Sequence, residues 1–318
     1  MNKFEQALRE DRVIILDGGF ATQLESMGFD ISGNLWSARL LDSNPQAIVD
    51  AHRAYLDAGA DCIISASYQA SRKGFMSMGK TADEADRLIV SAVELALVAR
   101  QGYLADKSTV EFPPLVAASV GPFGAVMHDG SEYTGDYNVG AEDLRRFHEE
   151  RLTLLDQSGA DVLAVETIPN SVEAKVLSEL LEHVNTPAWV SFACRDEKHI
   201  SDGTSLSDAA ALFANHARVL ALGINCTPPE FITSLIGEVR RVAAGKPVVV
   251  YPNSGELYHA EDNSWSGNAC DLDTDFNVLD WRAAGARLIG GCCRTGPADI
   301  SAIRRRILTT SQSYQSLQ

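Results

Sequence analysis

The chain has 318 residues, 45% of them hydrophobic, and a formal net charge of −16. Its length permits one large core or two smaller domains, and the element pattern below favours the first. So acidic a chain argues against nucleic acid or an anionic membrane as partner, since both need a basic face, and it suits a cationic substrate.

Residues 1–11 carry too many charges for a signal peptide, and no apolar run approaches the length of a membrane span. Six cysteines without a dense framework or an export signal point to reduced thiols, free for metal or catalysis, in a cytoplasmic protein. Nothing in the pattern speaks to oligomeric state.

In chain order, Val13-Ile14-Ile15-Leu16-Asp17 is a β-rich run that ends on a carboxylate beside Gly18-Gly19. A long connection, 18–44, leads to Asn44-Pro45, a cap and first-turn pair for a helix with Ile48, Ala51, Tyr55 and Leu56 on one face. Residues 62–66 form a second strand, followed by a loop with Tyr68 and then by Thr81 and Glu84, a capping box that opens a long helix. Residues 115–120 are a third strand. The loop behind it, 121–137, has no periodicity and is long enough to suggest a task.

Residues 162–166 make a fourth strand that again closes on a carboxylate, Glu166. Asn170 and Glu173 cap the next helix, with Val172, Val176, Leu180 and Val184 facing inward, before a fifth strand at 188–192. The sixth, 219–225, runs into Cys226, and Thr227-Pro228 opens a helix with Ile232, Leu235, Val239 and Val242 inside. The seventh, 248–251, has Asn253 just beyond it. The eighth, Arg287-Leu288-Ile289, turns through Gly290-Gly291 into Cys292-Cys293 and a last helix holding Ile300, Ile303 and Ile307.

The same punctuation recurs at Ala58-Gly59-Ala60-Asp61, Ser158-Gly159-Ala160-Asp161 and Ala284-Gly285-Ala286-Arg287. Apolar strands alternating with amphipathic helices in this way predict an α/β fold, a (β/α)8 TIM barrel, as a single domain over 1–308. The Ser- and Gln-rich segment 309–318 reads as a loose tail.

Such a barrel gathers the carboxyl ends of its strands on one face, so Asp17, Glu166, Cys226, Asn253, Cys292 and Cys293 converge there. Free cysteines are often mere core residues, and the spacing of these matches no finger-type motif. Their shared strand-end position tells otherwise. Three thiolates suit Zn2+ better than Mg2+ or Ca2+ and leave a fourth position for water, a protein oxygen or a substrate, the layout of a catalytic site.

At these residues the chain resembles the homocysteine S-methyltransferases, in particular the stand-alone type that uses S-methylmethionine. The resemblance covers almost the whole chain and is carried by Leu16-Asp17-Gly18-Gly19, Ser65-Ala66-Ser67-Tyr68-Gln69-Ala70, Ser119-Val120-Gly121-Pro122, Glu166-Thr167, Gly223-Ile224-Asn225-Cys226, Tyr251-Pro252-Asn253-Ser254-Gly255 and Gly290-Gly291-Cys292-Cys293-Arg294. It implies that Cys226, Cys292 and Cys293 are zinc ligands, and that Asn253 fills the fourth position before substrate arrives. It further implies that Asp17 and Glu166 hold the amino group of L-homocysteine, with backbone N–H groups around Gly18 and Gly19 receiving its carboxylate.

The chemistry agrees. A thiol with an ordinary pKa of about 8.5 is only a few per cent ionised at pH 7, and forcing ionisation costs roughly 2 kcal/mol, which a soft cation supplies. Transfer from a sulfonium donor then needs no further proton removal, so the acids are assigned to binding. Tyr68, Tyr133, Tyr137 and Trp36 are candidate aromatic faces for the donor cation, although loop aromatics more often only pack. Asp129 and Glu132 read as solvated loop charges, Cys62, Cys194 and Cys270 as ordinary thiols, and His52, His148 and His216 as residues of helix surfaces or edges.

The expected reaction is methyl transfer from S-methylmethionine, or S-adenosylmethionine second, to L-homocysteine, giving methionine. A selenocysteine or selenohomocysteine methyltransferase on the same site is an alternative, because selenium is also soft. A barrel lyase or aldolase is another, but Lys73, Lys80, Lys175 and Lys246 all fall on loops or helices. A metal or thiol store is a third.

Overall fold

The computed structural model describes residues 2–10, 12–30, 36–127, 129–259, 264–266 and 276–315. Its main sheet has eight strands: β1 Ile14–Ile15, β2 Cys62–Ile64, β3 Leu115–Val120, β4 Val162–Ile168, β5 Ala188–Phe192, β6 Val219–Asn225, β7 Val248–Tyr251 and β8 Ala286–Ile289. β2 to β8 pair in parallel in sequence order, and β8 pairs with β1 through Ile14–Leu288 and Ile15–Ile289. A parallel bridge between Leu16 and Cys62 closes the last seam, so the sheet is a (β/α)8 barrel.

Both faces of such strands are buried, which is why they read as unbroken apolar runs. Period-two alternation still sorts their side chains. Ile14, Leu115, Ala117, Val162, Ala164, Trp189, Ala221, Val249 and Leu288 fill the barrel, with Phe4 and Ala7 from the capping helix Lys3–Arg9 against the same plug. Val116, Ala118, Val120, Leu163, Val165, Val190, Leu222 and Val250 face the helices. Continuing the inward alternation toward the carboxyl ends brings up Ser119, Glu166, Ser191, Asn225 and Tyr251, so the plug gives way to a polar layer.

The repeated punctuation has a physical basis. Gly59 (φ +100°) and Gly285 (φ +119°) end their helices in the left-handed region, where a side chain is unfavourable. The aspartates that follow reach back across the seam: Asp61 accepts from the Ile15 N–H (3.0 Å) and Asp161 from the Val116 N–H (2.9 Å). At the other end of β2, Asp17 accepts from the Ile64 N–H (2.8 Å). Side-chain oxygens thus take over ladder positions, and β1 and β2 are shorter than the sequence reading suggests.

Other expectations are corrected. Glu173 does not cap its helix: Asn170 accepts from Val172 and Glu173 N–H and Asp202 takes the Ser171 N–H (2.7 Å), while Val172 is 48% exposed and Glu173 is buried against His148. Thr227 opens no helix; its hydroxyl takes the Cys194 N–H, and the helix starts at Ile232 after a turn at Pro229–Phe231. His52, His148 and His216 are buried, not superficial: His52 stacks on Phe20, His148 pairs with Glu173, and His216 bonds backbone groups. The connection 18–44 holds a helix, Phe20–Ser26, and the loop 121–137 holds short turns at Phe123–Val126 and Ser131–Thr134. The last helix, Pro297–Gln315, continues into the segment read as a loose tail.

One helix, Ala82–Ala105, is long and apolar enough to cross a membrane by length and composition, contrary to the sequence reading. Here its apolar side, including Ala85, Ile89, Ala92, Val93, Ala96 and Ala99, is buried as one of the helices around the barrel.

Candidate metal centre and substrate pocket

At the carboxyl end of β6 the chain turns sharply: Cys226 has φ +48° and donates its N–H to Tyr251 O (3.1 Å). That conformation is uncommon for a residue with a Cβ, and strain of this kind gathers at functional sites. After β8, Gly291 N–H bonds Asp17 O (3.1 Å), Cys292 N–H bonds Pro252 O (2.7 Å) and Cys293 O accepts from Ser254 N–H (3.0 Å). These bonds stitch the cysteine pair onto the ends of β1 and β7.

The result is a sulfur triangle. The Sγ atoms of Cys226, Cys292 and Cys293 all lie within 4.8 Å of one another, and Cys226 and Cys293 are 3.6 Å apart. Zn–S bonds of about 2.3 Å in a tetrahedron put ligand sulfurs about 3.8 Å apart, so the triangle is the right size for one ion, and it is far too open for a disulfide at about 2.05 Å. Among the described residues this is the one such cluster of potential ligands. Hydrogen bonds from Cys226 and then Cys292 hold the Cys293 thiol below its usual range, and the three thiols titrate as one coupled set.

Asp17 and Glu166 share the pocket with the sulfurs, a space of about 790 Å3 including its opening. Burial pushes Asp17 well above the usual carboxylate range, opposed by the Ile64 N–H, and the nearby Glu166 adds to the rise. Burial likewise pushes Glu166 up to about 7, opposed by hydrogen bonds from Ser119 and Tyr251. A pair of carboxyls so disposed gains from an arriving ammonium group.

The sign of the Glu166 shift yields a prediction. The native state keeps this proton to higher pH than the unfolded chain, so the stability of the metal-free protein falls as pH climbs from about 4.5 through about 7. Glu166→Gln is expected to raise its melting temperature at pH 8 and to leave it nearly unchanged at pH 5. Equal shifts at both pH values would contradict this origin.

Behind Glu166 lies a network that sequence reading missed. Trp189 Nε1 donates to Tyr251 OH (3.1 Å), Ser191 lies 2.7 Å from the same hydroxyl and 2.8 Å from Asn225 Oδ1, and Asn225 bonds both the N–H and the hydroxyl of Thr167 at 2.7 Å. The double bond to Asn225 holds Thr167 at φ +61°, a costly value for a β-branched residue. The signal was available: Trp189, Ser191, Asn225 and Tyr251 fall on the inward register of their strands, and Thr167 directly follows the inward Glu166.

Gly18 and Gly19 line the pocket, and a Cβ on either would stand 2.6 Å from a backbone oxygen, Thr295 O or Cys292 O. The Gly19 N–H is committed to Thr295 O (2.8 Å), so of the two only the Gly18 N–H lacks a partner among the described residues. Asn253 is buried and its Oδ1 accepts from Gly255 N–H (3.0 Å), which uses one of its two lone pairs.

Of the aromatic candidates, Tyr68 and Tyr133 line the pocket, and Tyr133 OH is 4.0 Å from Cys226 Sγ. Tyr137 instead packs edge-on against Phe123, and the Trp36 side chain lies outside the described residues. Glu132 is buried, not a solvated charge, and burial pushes it up to about 7, whereas Asp129 is exposed. Cys62 and Cys194 are buried thiols pushed up by desolvation, and Cys270 lies outside the described residues.

Comparison with known proteins agrees with this geometry. The profile of the homocysteine S-methyltransferase family matches residues 14–307. Homocysteine S-methyltransferase YbgG of Bacillus subtilis is 45% identical over 95% of this chain and 97% of its own. Selenocysteine Se-methyltransferase of Brassica oleracea is 43% identical over 95% and 91%. The crystal structure of the metallated homocysteine methyltransferase MmuM from Escherichia coli superposes with a TM-score of 0.85 at 44% identity, covering 96% of this chain and all of that one. A profile match spanning nearly the entire barrel, and relatives this similar along their full lengths, place the chain in the homocysteine S-methyltransferase family.

Proposed function

We propose that this chain makes methionine by transferring a methyl group from a sulfonium donor to the thiol of L-homocysteine, with Zn2+ held by Cys226, Cys292 and Cys293. The observation that carries the reading is the sulfur triangle standing in one pocket with two buried carboxyls. When bound, a soft divalent ion of this kind lowers the pKa of a substrate thiol and leaves its sulfur nucleophilic.

The chain's own residues supply orientation. Asp17 and Glu166 accept from the homocysteine ammonium, which stabilises their ionised forms against the burial that opposes them. The Gly18 N–H is available to the carboxylate, and Asn253 is the protein oxygen nearest in role to a fourth ligand before substrate arrives. Tyr68 and Tyr133 offer π-faces to a cation on the donor side. A sulfonium needs little further activation, so placing its methyl in line with the acceptor sulfur is the main task. S-methylmethionine is the first-choice donor and S-adenosylmethionine the second.

Incubation with homocysteine and S-methylmethionine should give two methionines per donor consumed; no methionine from either sulfonium would overturn the reading. The selenocysteine methyltransferase relative favours a second acceptor class, selenols, and a competition assay between selenocysteine and homocysteine measures that preference. A Schiff-base lyase loses ground because, among the described residues, no lysine lines the pocket and Lys246 is bound to carbonyls of His216 and Val219, beside the start of β6.

A further inference from the structure

We propose that Arg151 and Gly121, neither of which belongs to the metal or acceptor site, are positioning residues that seat Tyr68 for the donor half of the reaction. Arg151 lies on the helix Ala141–Asp156 and is 1% exposed. Its guanidinium donates to three backbone carbonyls: Gly121 O at 2.8 Å, Ser67 O at 3.1 Å and Tyr68 O at 2.8 Å. The first belongs to the loop after β3, the other two to the loop after β2. One side chain therefore ties together the two loops that carry Tyr68 and Tyr133 into the pocket.

Gly121 completes the seat from the other side. A Cβ there would stand 2.5 Å from Tyr68 O and 2.7 and 2.8 Å from two carbons of the Tyr68 ring, so the ring rests directly on that glycine's backbone. The same loop is pinned again at Phe123, whose N–H bonds Glu173 Oε1 (2.6 Å), and that carboxylate also takes His148 Nε2 (2.7 Å). Glu173 is the counter-charge to Arg151, and the guanidinium, though pulled down to about 10 by burial, remains charged at neutral pH.

Burying a cation is costly, and apolar replacements of similar volume often do as well for stability. A buried guanidinium spent on three loop carbonyls is therefore better explained by the geometry it fixes. A displacement of about 1 Å near the reacting groups can cost about 100-fold in rate.

The inference rests on the proposed methyl transfer, and the assays separate the two. If the wild-type protein makes no methionine, the functional reading fails. Given an active wild type, Arg151→Lys and Gly121→Ala should each lower kcat/KM for S-methylmethionine by about 30-fold or more. Metal content should stay at one ion per chain, and homocysteine affinity by calorimetry should stay within about twofold. Adding Arg151→Lys to Tyr68→Ala should cost at most about twofold beyond Tyr68→Ala alone, because both changes act on one ring. Donor kinetics within about threefold of wild type in both single variants, equal losses of homocysteine binding, or multiplicative losses in the double variant would overturn it. Should Arg151→Lys fail to fold, Gly121→Ala alone and with Tyr68→Ala decides by the same measures.

Discussion

Replacing Cys226 with alanine is expected to strip the metal and to lower kcat/KM for methionine formation by more than about 1,000-fold, while the barrel stays folded. Loss of a partner that merely orients a ligand typically costs about 10- to 100-fold in metal affinity, and loss of the ligand itself costs more. Cys226 is the sole sulfur contributed from β6, and the remaining pair are adjacent in sequence, so no described neighbour can restore the triangle. The side chain points into the mouth, away from the apolar plug, so little packing is lost. Metal analysis of the purified variant beside thermal melting checks this, with Cys62→Ala, a change deep in the barrel, as a control that should keep its metal. A metal-free Cys226→Ala protein with wild-type turnover would be fatal to the proposed chemistry.

The second large effect concerns the acids. Asp17→Asn keeps its size and its bond from Ile64 N–H, and Glu166→Gln keeps its size and an oxygen for one of the two hydroxyls, Ser119 or Tyr251, but each loses the charge proposed to meet the homocysteine ammonium. A hydrogen bond to a charged group is worth about 1.5–3 kcal/mol, so KM for homocysteine should rise by about 10- to 100-fold in each variant. Metal content should not change. With 4-mercaptobutanoate, a thiol of similar length lacking the amino group, the variants and the wild type should perform alike. Equal losses with both thiols would assign the carboxylates to something other than the amine.

Much of this architecture is legible in the sequence because parallel barrel strands are buried on both faces and so appear as short, unbroken apolar runs between amphipathic helices. β3, β5, β6 and β7 fall where those runs place them. β1 and β2 do not, since Asp61 and Asp17 replace ladder partners with side-chain oxygens, an exchange between residues distant in sequence. The strand-end cysteines and acids could be found for the same reason that barrels work as enzymes: the topology alone brings those ends together.

What escaped was tertiary. Glu132, Glu173 and His148 look like solvated or helix-surface residues by local pattern, and only the packing of the loop 121–137 against the helices before and after β4 buries them. The strained backbone at Cys226 and Thr167 is likewise invisible locally, because nothing in Thr or Cys announces a positive φ; Asn225 and the β7 end impose it.

The most direct test of the central claim is X-ray absorption at the metal edge of the zinc-loaded protein, with and without homocysteine. Three sulfur neighbours and one lighter atom are expected alone, and four sulfurs once homocysteine is added. A sulfur count that ignores homocysteine, or that never reaches three, would contradict it.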